Sequence, residues 1–418
     1  MAGADRAVGS PRGATTADAS GRALSIVACV PLPYRSDGRI TAEVGVTNFY
    51  AALLPRLAAL GHRVHALVET PPVQPGETRV GLDWQVAGLS ADWNAFEYWP
   101  GRRPLDDEYT RRIAVPLAQA LAARCARARP DLVLIGREVV APAAVDACCD
   151  LGLPSLLVAH GVAVAALQSD AYPRLAAARL LASLRRVDRI IAVAAHLAAT
   201  LRGLAVAPVT SIANVVDAEQ FQPAAPDAPL RAALTIAPES LVVGHASNLT
   251  DHKRVADLVA AAPRVLAAQP HTVFLIIGDG VERAALQRQV QAAGLQARFR
   301  FVGEVAHARM PDHLNLCDVV VMPSERETLS LVYRETQACG GVLLTSDIAA
   351  AREAVVDGET GVLFRKGDRD DLAAQLLALL ADAQRRQRIG RAARRAAAAL
   401  DPGDWAREYE AALRSTAG

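Results

Sequence analysis

Excess charge is the first thing that the sequence lacks. Its 418 residues include 45 Lys and Arg against 44 Asp and Glu, a net charge of +1 at pH 7. Nucleic-acid binding rests on many uncompensated contacts with phosphates, so this balance argues against a protein whose main partner is nucleic acid. The hydrophobic share of 52% is enough for buried cores. A chain of this length predicts roughly two to three domains.

Long hydrophobic runs are also missing. The most apolar runs, residues 23–30 and 272–277, are far shorter than the ~18 to 20 residues that span a bilayer. Residues 1–21 are rich in Ala, Gly, Ser, Thr and Asp and lack the apolar centre of a secretory signal, so we expect a disordered tail there. These absences predict a cytoplasmic protein with at most peripheral contact with a membrane.

Cysteine and lysine are scarce. The six cysteines show no recurring CxxC or Cys/His spacing, so neither a disulfide framework nor a zinc site is predicted. Only two of the 45 basic residues are lysines, Lys253 and Lys366. In a chain that otherwise uses arginine, each lysine is a candidate for a specific role.

Short apolar runs of strand type alternate with Ala-, Leu- and Arg-rich stretches of helical period, which is typical of parallel sheets covered by helices. The pattern occurs twice, on either side of residues 206–229, which contain four prolines. We therefore predict Rossmann-like units at residues 22–205 and 206–400, and a final helix at 401–418 that packs back toward the first unit. The expected strands are 24–30, 64–68, 132–135, 155–159, 189–193, 241–246, 273–277, 300–302, 319–322, 342–345 and 361–364.

The most informative stretch is 322–341. Glu327 is expected in a turn after an apolar strand, a helix is expected to begin near residues 329–331, and Glu335 lies further along that helix. Free N–H groups at a helix start favour an anion such as a diphosphate, whereas carboxylates favour hydroxyl donors. A diphosphate beside hydroxyl groups describes a sugar nucleotide. Taken alone, two such glutamates are more often a helix cap and a solvated side chain.

This stretch resembles the EX7E motif of the retaining glycosyltransferases of family four in Pro323, Ser324, Glu327, Leu331 and Glu335. The resemblance implies the GT-B fold, an α/β architecture in which two Rossmann-like domains face a central cleft. It also implies that the N-terminal domain lies on the acceptor side and that the C-terminal domain binds a nucleotide sugar. Further similar stretches are Gly45, 61–64, 130–134, 154–161, 214–217, 276–280, 318–324 and 351–364.

Three residues take catalytic roles by this resemblance. Lys253 would stabilise the charge of the departing diphosphate, Glu327 would bind hydroxyls of the donor sugar, and His160 would contact that sugar. Without the resemblance, a lone histidine at a strand end is more often structural. The resemblance further implies transfer with retention at the anomeric carbon and without a metal.

Four further positions are expected to bind the donor. Glu335 would hold the ribose hydroxyls, and the N–H groups of Ser330 and Leu331 would lie near the phosphates. Gly45 would let the backbone approach a phosphate or the acceptor closely, since no Cβ intervenes. For Gly45 the simpler alternative is the start of a helix.

Asn248 is a fifth expected donor-binding residue and the main departure from the family pattern. It lies five residues before Lys253, where the family commonly has an arginine, and it offers only a neutral hydrogen bond. Arg254 and Arg326 are the candidates to supply the second positive charge. Ser330 replaces a glycine of the family, but its N–H remains available.

Two other motifs favour no bound metal or cofactor. Asp368-Arg-Asp370 spells DxD, the metal motif of other glycosyltransferases, but it is expected to cap a helix. Gly278-Asp-Gly280 lacks the full GxGxxG fingerprint of a nicotinamide site. We therefore expect neither metal nor cofactor, and a nucleotide sugar, foremost a UDP-sugar, as the donor substrate. The sequence does not determine the base, the sugar or the acceptor, which is a small molecule, a glycan or a lipid-linked group.

Several alternatives stay open. A sugar-nucleotide epimerase on the same fold would use the donor site without an acceptor. A non-catalytic sugar-nucleotide-binding subunit is favoured by Asn248. A pyridoxal-phosphate phosphorylase would need a Schiff-base lysine, whereas the resemblance assigns Lys253 elsewhere. The arginine-rich helix at 174–189 could lie on an anionic membrane or, as its alanine-rich face favours, cover the sheet.

Overall fold

The computed structural model describes residues 21–31, 44–69, 77–79, 84–89, 114–167 and 174–418. Apart from Gly21, the tail expected at residues 1–21 lies outside these ranges. Within them, the alternation of apolar runs and helical stretches produces two sheets, each accompanied by helices.

The first sheet is built from β1 (Ser25–Cys29), β2 (Arg63–Glu69), β3 (Glu77–Arg79), β4 (Trp84–Leu89), β5 (Leu132–Ile135), β6 (Ser155–Ala159), β7 (Arg189–Ala192) and β8 (Val209–Ser211). These eight strands lie in the order β3-β4-β2-β1-β5-β6-β7-β8, and only β3 pairs antiparallel, with β4. Every residue of β1, β5 and β6 is buried, as a parallel sheet covered on both faces requires.

The second sheet is built from β9 (Val242–Ala246), β10 (Val273–Ile277), β11 (Phe299–Gly303), β12 (Val319–Met322), β13 (Leu343–Ser346) and β14 (Val362–Phe364). All neighbours are parallel, in the order β11-β10-β9-β12-β13-β14. The strand order reverses beside β1 in the first sheet and beside β9 in the second. In such sheets ligands bind at the carboxyl ends of the strands, at the reversal.

The helices of the described residues are α1 (Val44–Ala59), α2 (Val115–Ala128), α3 (Ala141–Leu151), α4 (Val162–Leu167), α5 (Arg174–Arg186), α6 (Ala195–Gly203), α7 (Ala228–Ala233), α8 (Val255–Ala268), α9 (Arg283–Ala292), α10 (Met310–Leu314), α11 (Leu331–Ala338), α12 (Ala349–Ala354), α13 (Arg369–Ala381), α14 (Ala383–Ala398) and α15 (Pro402–Ala417). Within the described ranges, no helix has both the length and the apolar character needed to cross a bilayer.

The expected strands all occur, with each end within one residue of its predicted position. β3, β4 and β8 were not predicted. The first sheet extends past the predicted boundary at residue 205, because β8 adds to its edge by pairing with β7. That short strand lies inside the proline-containing segment 206–229, which separates the two repeats of the sequence pattern.

Two clusters of buried apolar side chains stabilise the fold. One fills the first unit and continues into the second, joining residues such as Ile26 and Tyr333. The other includes Leu258 of α8 and lies on the second sheet. On α5, Leu180 and Leu184 are buried, which agrees with a helix that covers the sheet. The two units therefore share apolar packing as well as the cleft between them.

The final helix α15 packs against the first unit, although it follows the second in the chain. Its Trp405 and Tyr409 lie edge-on to Phe49 of α1, with ring centroids 5.3 and 5.7 Å away. Glu410 accepts a hydrogen bond from His62 Nε2 at 3.1 Å. This helix thus returns across the molecule, at the position where the sequence predicted a closing helix.

Candidate active site

A cavity of about 270 Å³ lies between the two units, at the carboxyl ends of their strands. This volume is close to the lower end of the ~300 to 1,000 Å³ of most small-molecule sites. The first unit contributes residues that follow β1, β6 and β7, and the second contributes residues at the ends of β9, β10, β11 and β12. The cavity brings together all eight predicted site residues: Gly45, His160, Asn248, Lys253, Glu327, Ser330, Leu331 and Glu335.

Lys253 and Glu327 form an ion pair in the cavity wall. Lys253 Nζ lies 2.7 Å from Glu327 Oε1, and the two side chains are only 15% and 8% exposed. Ser324 Oγ donates a hydrogen bond to the same oxygen at 2.7 Å. An ammonium group has three N–H donors, so Lys253 keeps two for another acceptor.

A backbone contact holds the two partners of this pair together. Lys253 ends a short 3₁₀ turn, Asp251–Lys253, that follows β9. Glu325, in the loop after β12, donates its backbone N–H to the carbonyl of His252 at 2.8 Å. The carboxyl ends of the neighbouring strands β9 and β12 therefore bring the lysine turn and the Glu327 loop to one place.

The expected second cation does not reach the cavity. Arg254 donates from Nε to Asp257 at 2.6 Å, Arg326 is exposed, and neither lines the cavity. Arg254 has a left-handed backbone, φ 51°, and is the N-cap residue of α8. Neither arginine therefore adds a second positive charge to the cavity wall. Among the described residues, Lys253 is the single lysine or arginine that lines the cavity.

Glu335 is buried on α11 and is held by a histidine that the sequence did not indicate. Its Oε1 lies 2.8 Å from Nε2 of His307, and Glu335 is 4% exposed. His307 lies in a short turn after β11, with its ring 5.1 Å from that of Phe221. One carboxylate oxygen of Glu335 is thus fixed, which leaves the other to accept hydroxyl donors.

The start of α11 lies at the cavity, where the sequence predicted an anion site. Ser330 is its N-cap residue, with an extended backbone and no side-chain capping bond, and Leu331 is the first helical residue. The N–H groups of the first turn of any helix lack partners within the helix. Ser330 and Leu331 line the cavity, so these donors lie beside it.

His160 follows β6 and is buried among aromatic side chains. Its Nε2 lies 3.1 Å from the hydroxyl of Tyr50, and its ring lies edge-on to Phe49 at 5.0 Å. Burial, together with the charge of Arg137, lowers the pKa of His160 to about 3. The imidazole is therefore neutral near pH 7, and it supplies a hydrogen-bonding group to the cavity without a positive charge.

Gly161 carries a contact between the two units. It has φ +94°, and its N–H donates to Glu138 Oε1 at 2.5 Å. A Cβ placed on Gly161 would lie 2.5 Å from Thr328 Oγ1, closer than packed atoms approach. Only glycine combines this backbone with this contact. The turn that bears His160 therefore abuts the residue that follows Glu327.

Glu353 of α12 makes a second contact between the units. Its carboxylate accepts hydrogen bonds from the backbone N–H groups of Ala195 at 2.8 Å and His196 at 2.6 Å, at the start of α6. It also lies 2.6 Å from His196 Nδ1. Partial burial opposes ionisation, but these hydrogen bonds hold the pKa of Glu353 below its usual value. The second unit thus caps a helix of the first.

His245 and Ser247, at the end of β9, form a further polar pair. His245 Nδ1 lies 2.8 Å from the carbonyl of Val321, which can only accept, so Nδ1 carries the proton. Burial lowers the pKa of His245 to about 4, so Nε2 is unprotonated near pH 7. Ser247 Oγ lies 2.7 Å from that nitrogen and 3.0 Å from the carbonyl oxygen of Asn248, two acceptors for its one hydroxyl hydrogen. The oxygen of Ser247, which lines the cavity, is left as an acceptor.

Three glycines near the cavity differ in whether their surroundings leave room for a side chain. A Cβ on Gly45 would meet no atom of the described residues within 4 Å, so packing against them does not require glycine at the start of α1. A Cβ on Gly278 would lie 1.9 Å from the Ser247 carbonyl, and one on Gly280 would lie 2.4 Å from the Leu249 carbonyl. The Gly278-Asp-Gly280 turn is therefore packed against the backbone of the loop after β9.

The DxD stretch caps a helix, as predicted. Asp368 accepts hydrogen bonds from the N–H groups of Asp370 and Asp371 at the start of α13. Within the described part of the chain, no group of three or more His, Cys, Asp or Glu side chains is arranged to hold a metal ion.

Sequence reasoning missed Tyr50, His245, Ser247 and His307. His245 and Ser247 do carry a local signal, since a histidine two residues before a serine at a strand end places both side chains on one face. Tyr50 and His307 carry none, because their partners lie 110 and 28 residues away in the chain.

Comparison with known families agrees with this geometry. Residues 44–220 match the family model described as Glycosyltransferase Family 4, and residues 227–396 match the model described as Glycosyl transferases group 1. The chain belongs to the family-4 glycosyltransferases. The two matched ranges include every described strand except β1, and the boundary between them lies in the segment that joins β8 to α7.

Curated relatives of this family-4 chain match over part of their length. Glycogen synthase of Mycobacterium tuberculosis is 36% identical over 194 residues, which are 46% of this chain and 45% of the relative. A GDP-mannose-dependent monoacylated alpha-(1-6)-phosphatidylinositol monomannoside mannosyltransferase of Corynebacterium glutamicum is 31% identical over 188 residues, 43% of this chain and 49% of the relative. The match thus spans about half the length of these relatives.

Solved structures establish the GT-B fold over most of the chain. Sucrose-phosphate synthase from Thermosynechococcus elongatus superposes with a TM-score of 0.79 at 21% identity, covering 94% of this chain and 98% of that one. At this identity the likeness concerns the fold. The predicted α/β class, with two Rossmann-like domains facing a cleft, is confirmed.

Proposed function

We propose that the protein transfers a sugar from a nucleotide-sugar donor to an acceptor, with retention at the anomeric carbon. The observation that carries this proposal is the convergence of all eight predicted residues on one cavity between the two domains. One cation, Lys253, and free N–H groups suited to a diphosphate lie there beside carboxylates suited to sugar hydroxyls.

The second domain would hold the donor. Glu335, fixed by His307, would accept hydrogen bonds from the ribose hydroxyls through its second oxygen. Glu327 would accept from the sugar hydroxyls, and the N–H groups of Ser330 and Leu331 would bind the phosphates. Lys253 would use its two remaining N–H donors on the diphosphate while it stays paired with Glu327.

Retention would follow from attack on the face that the diphosphate leaves. The bond from the anomeric carbon to the phosphate oxygen breaks, and the acceptor atom forms its new bond on the same face. The acceptor's proton passes to the departing phosphate oxygen, whose negative charge Lys253 stabilises. Approach of the two domains would exclude water from this step.

The donor would be a nucleotide sugar, foremost a UDP-sugar, used without a metal or cofactor. One relative is named as a glycogen synthase and another as a GDP-mannose-dependent mannosyltransferase, so GDP-sugars belong in any test. The acceptor, bound on the side of Gly45, would be a small molecule, a glycan or a lipid-linked group.

The test is a thermal-shift screen of UDP-, GDP- and ADP-sugars, followed by NMR of the sugar released from the stabilising donor. A ligand at 100 times its Kd stabilises the native state by about 2.7 kcal/mol. We expect stabilisation by one nucleotide class and release of the sugar first as the anomer present in the donor. The inverted anomer would exclude retention, and no stabilisation by any nucleotide sugar would overturn the proposal.

A second candidate is a sugar-nucleotide-binding protein that does not catalyse transfer. The observation in its favour is that Lys253 is the single lysine or arginine lining the cavity among the described residues. Stabilisation by a nucleotide sugar without release or transfer of the sugar would favour this candidate. Conversion of the sugar with nothing added would instead indicate an epimerase.

A further inference from the structure

Tyr50 of α1 has a hydroxyl group placed between two partners. The oxygen lies 2.8 Å from the carbonyl oxygen of Gly136 and 3.1 Å from Nε2 of His160. Tyr50 is completely buried, and burial raises the pKa of its phenol far above the usual value. The phenol therefore keeps its single hydrogen at any pH at which the protein is studied.

The hydrogens in this contact can be assigned by counting. The carbonyl of Gly136 can only accept, so the phenol hydrogen points to it. The oxygen of Tyr50 can then only accept from His160, which requires a hydrogen on Nε2. A neutral imidazole carries one N–H, so Nδ1 of His160 is left with a lone pair.

We propose that Tyr50 is a positioning residue that fixes His160 as the Nε2–H tautomer, so that the cavity receives an imidazole acceptor, Nδ1, in place of a donor or a cation. This inference rests on the proposed function and specifies its substrate further. The contacted group of the ligand must donate a hydrogen bond, as a sugar hydroxyl does. A carboxylate or an ether oxygen at that point would face a lone pair and is disfavoured.

Packing holds the arrangement in place. A Cβ placed on Gly136 would lie 3.0 Å from the Tyr50 ring and 2.8 Å from Val30, so the close approach of the tyrosine to this carbonyl depends on glycine. Phe49 lies edge-on to both Tyr50 and His160, at 4.8 and 5.0 Å. The imidazole is thereby packed edge-on against two aromatic rings.

The test uses the full chain with ¹⁵N-labelled histidine. Two-bond ¹H–¹⁵N spectra distinguish the two neutral tautomers from the imidazolium ion, and the His160 signals are identified by their absence in His160→Gln. Wild-type protein at pH 7 is expected to show the Nε2–H tautomer. An Nδ1–H tautomer or an imidazolium ion in the wild type would overturn the proposal without any variant.

The variant Tyr50→Phe removes the acceptor of the Nε2 hydrogen. We expect His160 to redistribute between tautomers, and kcat/KM for hydrolysis of UDP-glucose or GDP-mannose to fall about tenfold, the effect of one lost hydrogen bond. Tyr409→Phe is the matched control. It lies in the same aromatic cluster, and its hydroxyl has no hydrogen-bond partner among the described residues.

The outcomes separate this inference from the proposed function. An unchanged tautomer in Tyr50→Phe, or a changed tautomer with unchanged kcat/KM, would overturn the role of Tyr50. Equal losses of kcat/KM in Tyr50→Phe and Tyr409→Phe would also overturn the role of Tyr50. If the wild type neither binds nor hydrolyses nucleotide sugars, the proposed function fails, and the spectra still decide the tautomer.

Discussion

At the scale of single residues, Lys253 concentrates the positive charge of the cavity. Its pair with Glu327 leaves two N–H donors, and no other lysine or arginine of the described residues lines the site. The proposed departure of a diphosphate therefore depends on this ammonium group more than in a site with two cations. Its loss should act mainly on the transition state, in which the negative charge of the leaving group develops.

We predict that Lys253→Met lowers kcat for donor hydrolysis by ~10²-fold or more, the usual effect of removing a preorganised electrostatic partner. Lys366→Met is the control, because Lys366 is the other lysine of the chain and is exposed. Steady-state kinetics measure the effect, and thermal denaturation shows whether the variant remains folded. Near-normal turnover in Lys253→Met would remove the role assigned to it.

The lowered pKa values of two buried histidines determine how the free energy of unfolding should change with pH. Burial lowers the pKa of His160 to about 3 and that of His245 to about 4, from 6.5 in an ordinary setting. Below pH 6.5 the unfolded chain takes up protons that the native state does not, so the free energy of unfolding falls as the pH falls toward 4 and is retained above 6.5. At pH 5 the free energy of unfolding is lower than at neutral pH by about 2 kcal/mol for each such histidine.

Urea unfolding at pH 7.5 and pH 5 measures this loss. His245→Gln should lose less stability between the two values than the wild type, because its share of the proton uptake is gone. The exposed His271→Gln should behave as the wild type does. The same pH dependence in all three proteins would contradict the prediction.

At the scale of elements, the turn after β6 links the two units. Gly161→Ala would strain a backbone at φ +94° and place a methyl group 2.5 Å from Thr328 Oγ1. We expect kcat for donor hydrolysis to fall at least tenfold, because the methyl group would push His160 and Glu327 apart, and an error of about 1 Å at a reacting centre can cost 10²-fold.

Gly61→Ala is the matched control for that prediction. Gly61 has φ +93°, and within the described part of the chain a Cβ placed on it meets no atom within 4 Å. The control therefore carries the same backbone strain without the clash. If both variants lose stability equally and turnover is unaffected in each, contact with Thr328 has no part in aligning the site.

At the scale of the whole molecule, Glu353 joins the two units at the start of α6. Glu353→Ala removes a carboxylate that accepts hydrogen bonds from Ala195 and His196. We expect the free energy of unfolding to fall by about 2 kcal/mol, as for other hydrogen bonds to charged groups. Differential scanning calorimetry is the measurement, with Glu359→Ala, an exposed site in the following turn, as the control. Equal midpoints for the two variants would contradict a role for Glu353 in joining the units.

Much of this architecture could be predicted because it is encoded locally. Apolar runs indicated all six strands of the second sheet and five of the eight described strands of the first, and the motif around Glu327 and Glu335 indicated the cavity wall. Contacts between distant segments could not be predicted, because no local pattern reveals which side chains meet. The phenol of Tyr50 and the imidazole of His307 are examples. Arg254 was a candidate for the second positive charge because it follows Lys253 in the chain, but its guanidinium pairs with Asp257 and does not line the cavity.

The return of α15 to the first unit bears on how this protein can be divided for experiments. A cut between β8 and α7 would leave the first fragment without α15, the helix that packs on Phe49. The second fragment would keep α15, with Trp405 and Tyr409 no longer packed against Phe49. Co-expression of such halves should yield a reconstituted complex more readily than either half alone. A circular permutant that moves residues 402–417 ahead of β1 would give the first half its missing segment and suit studies of isolated domains.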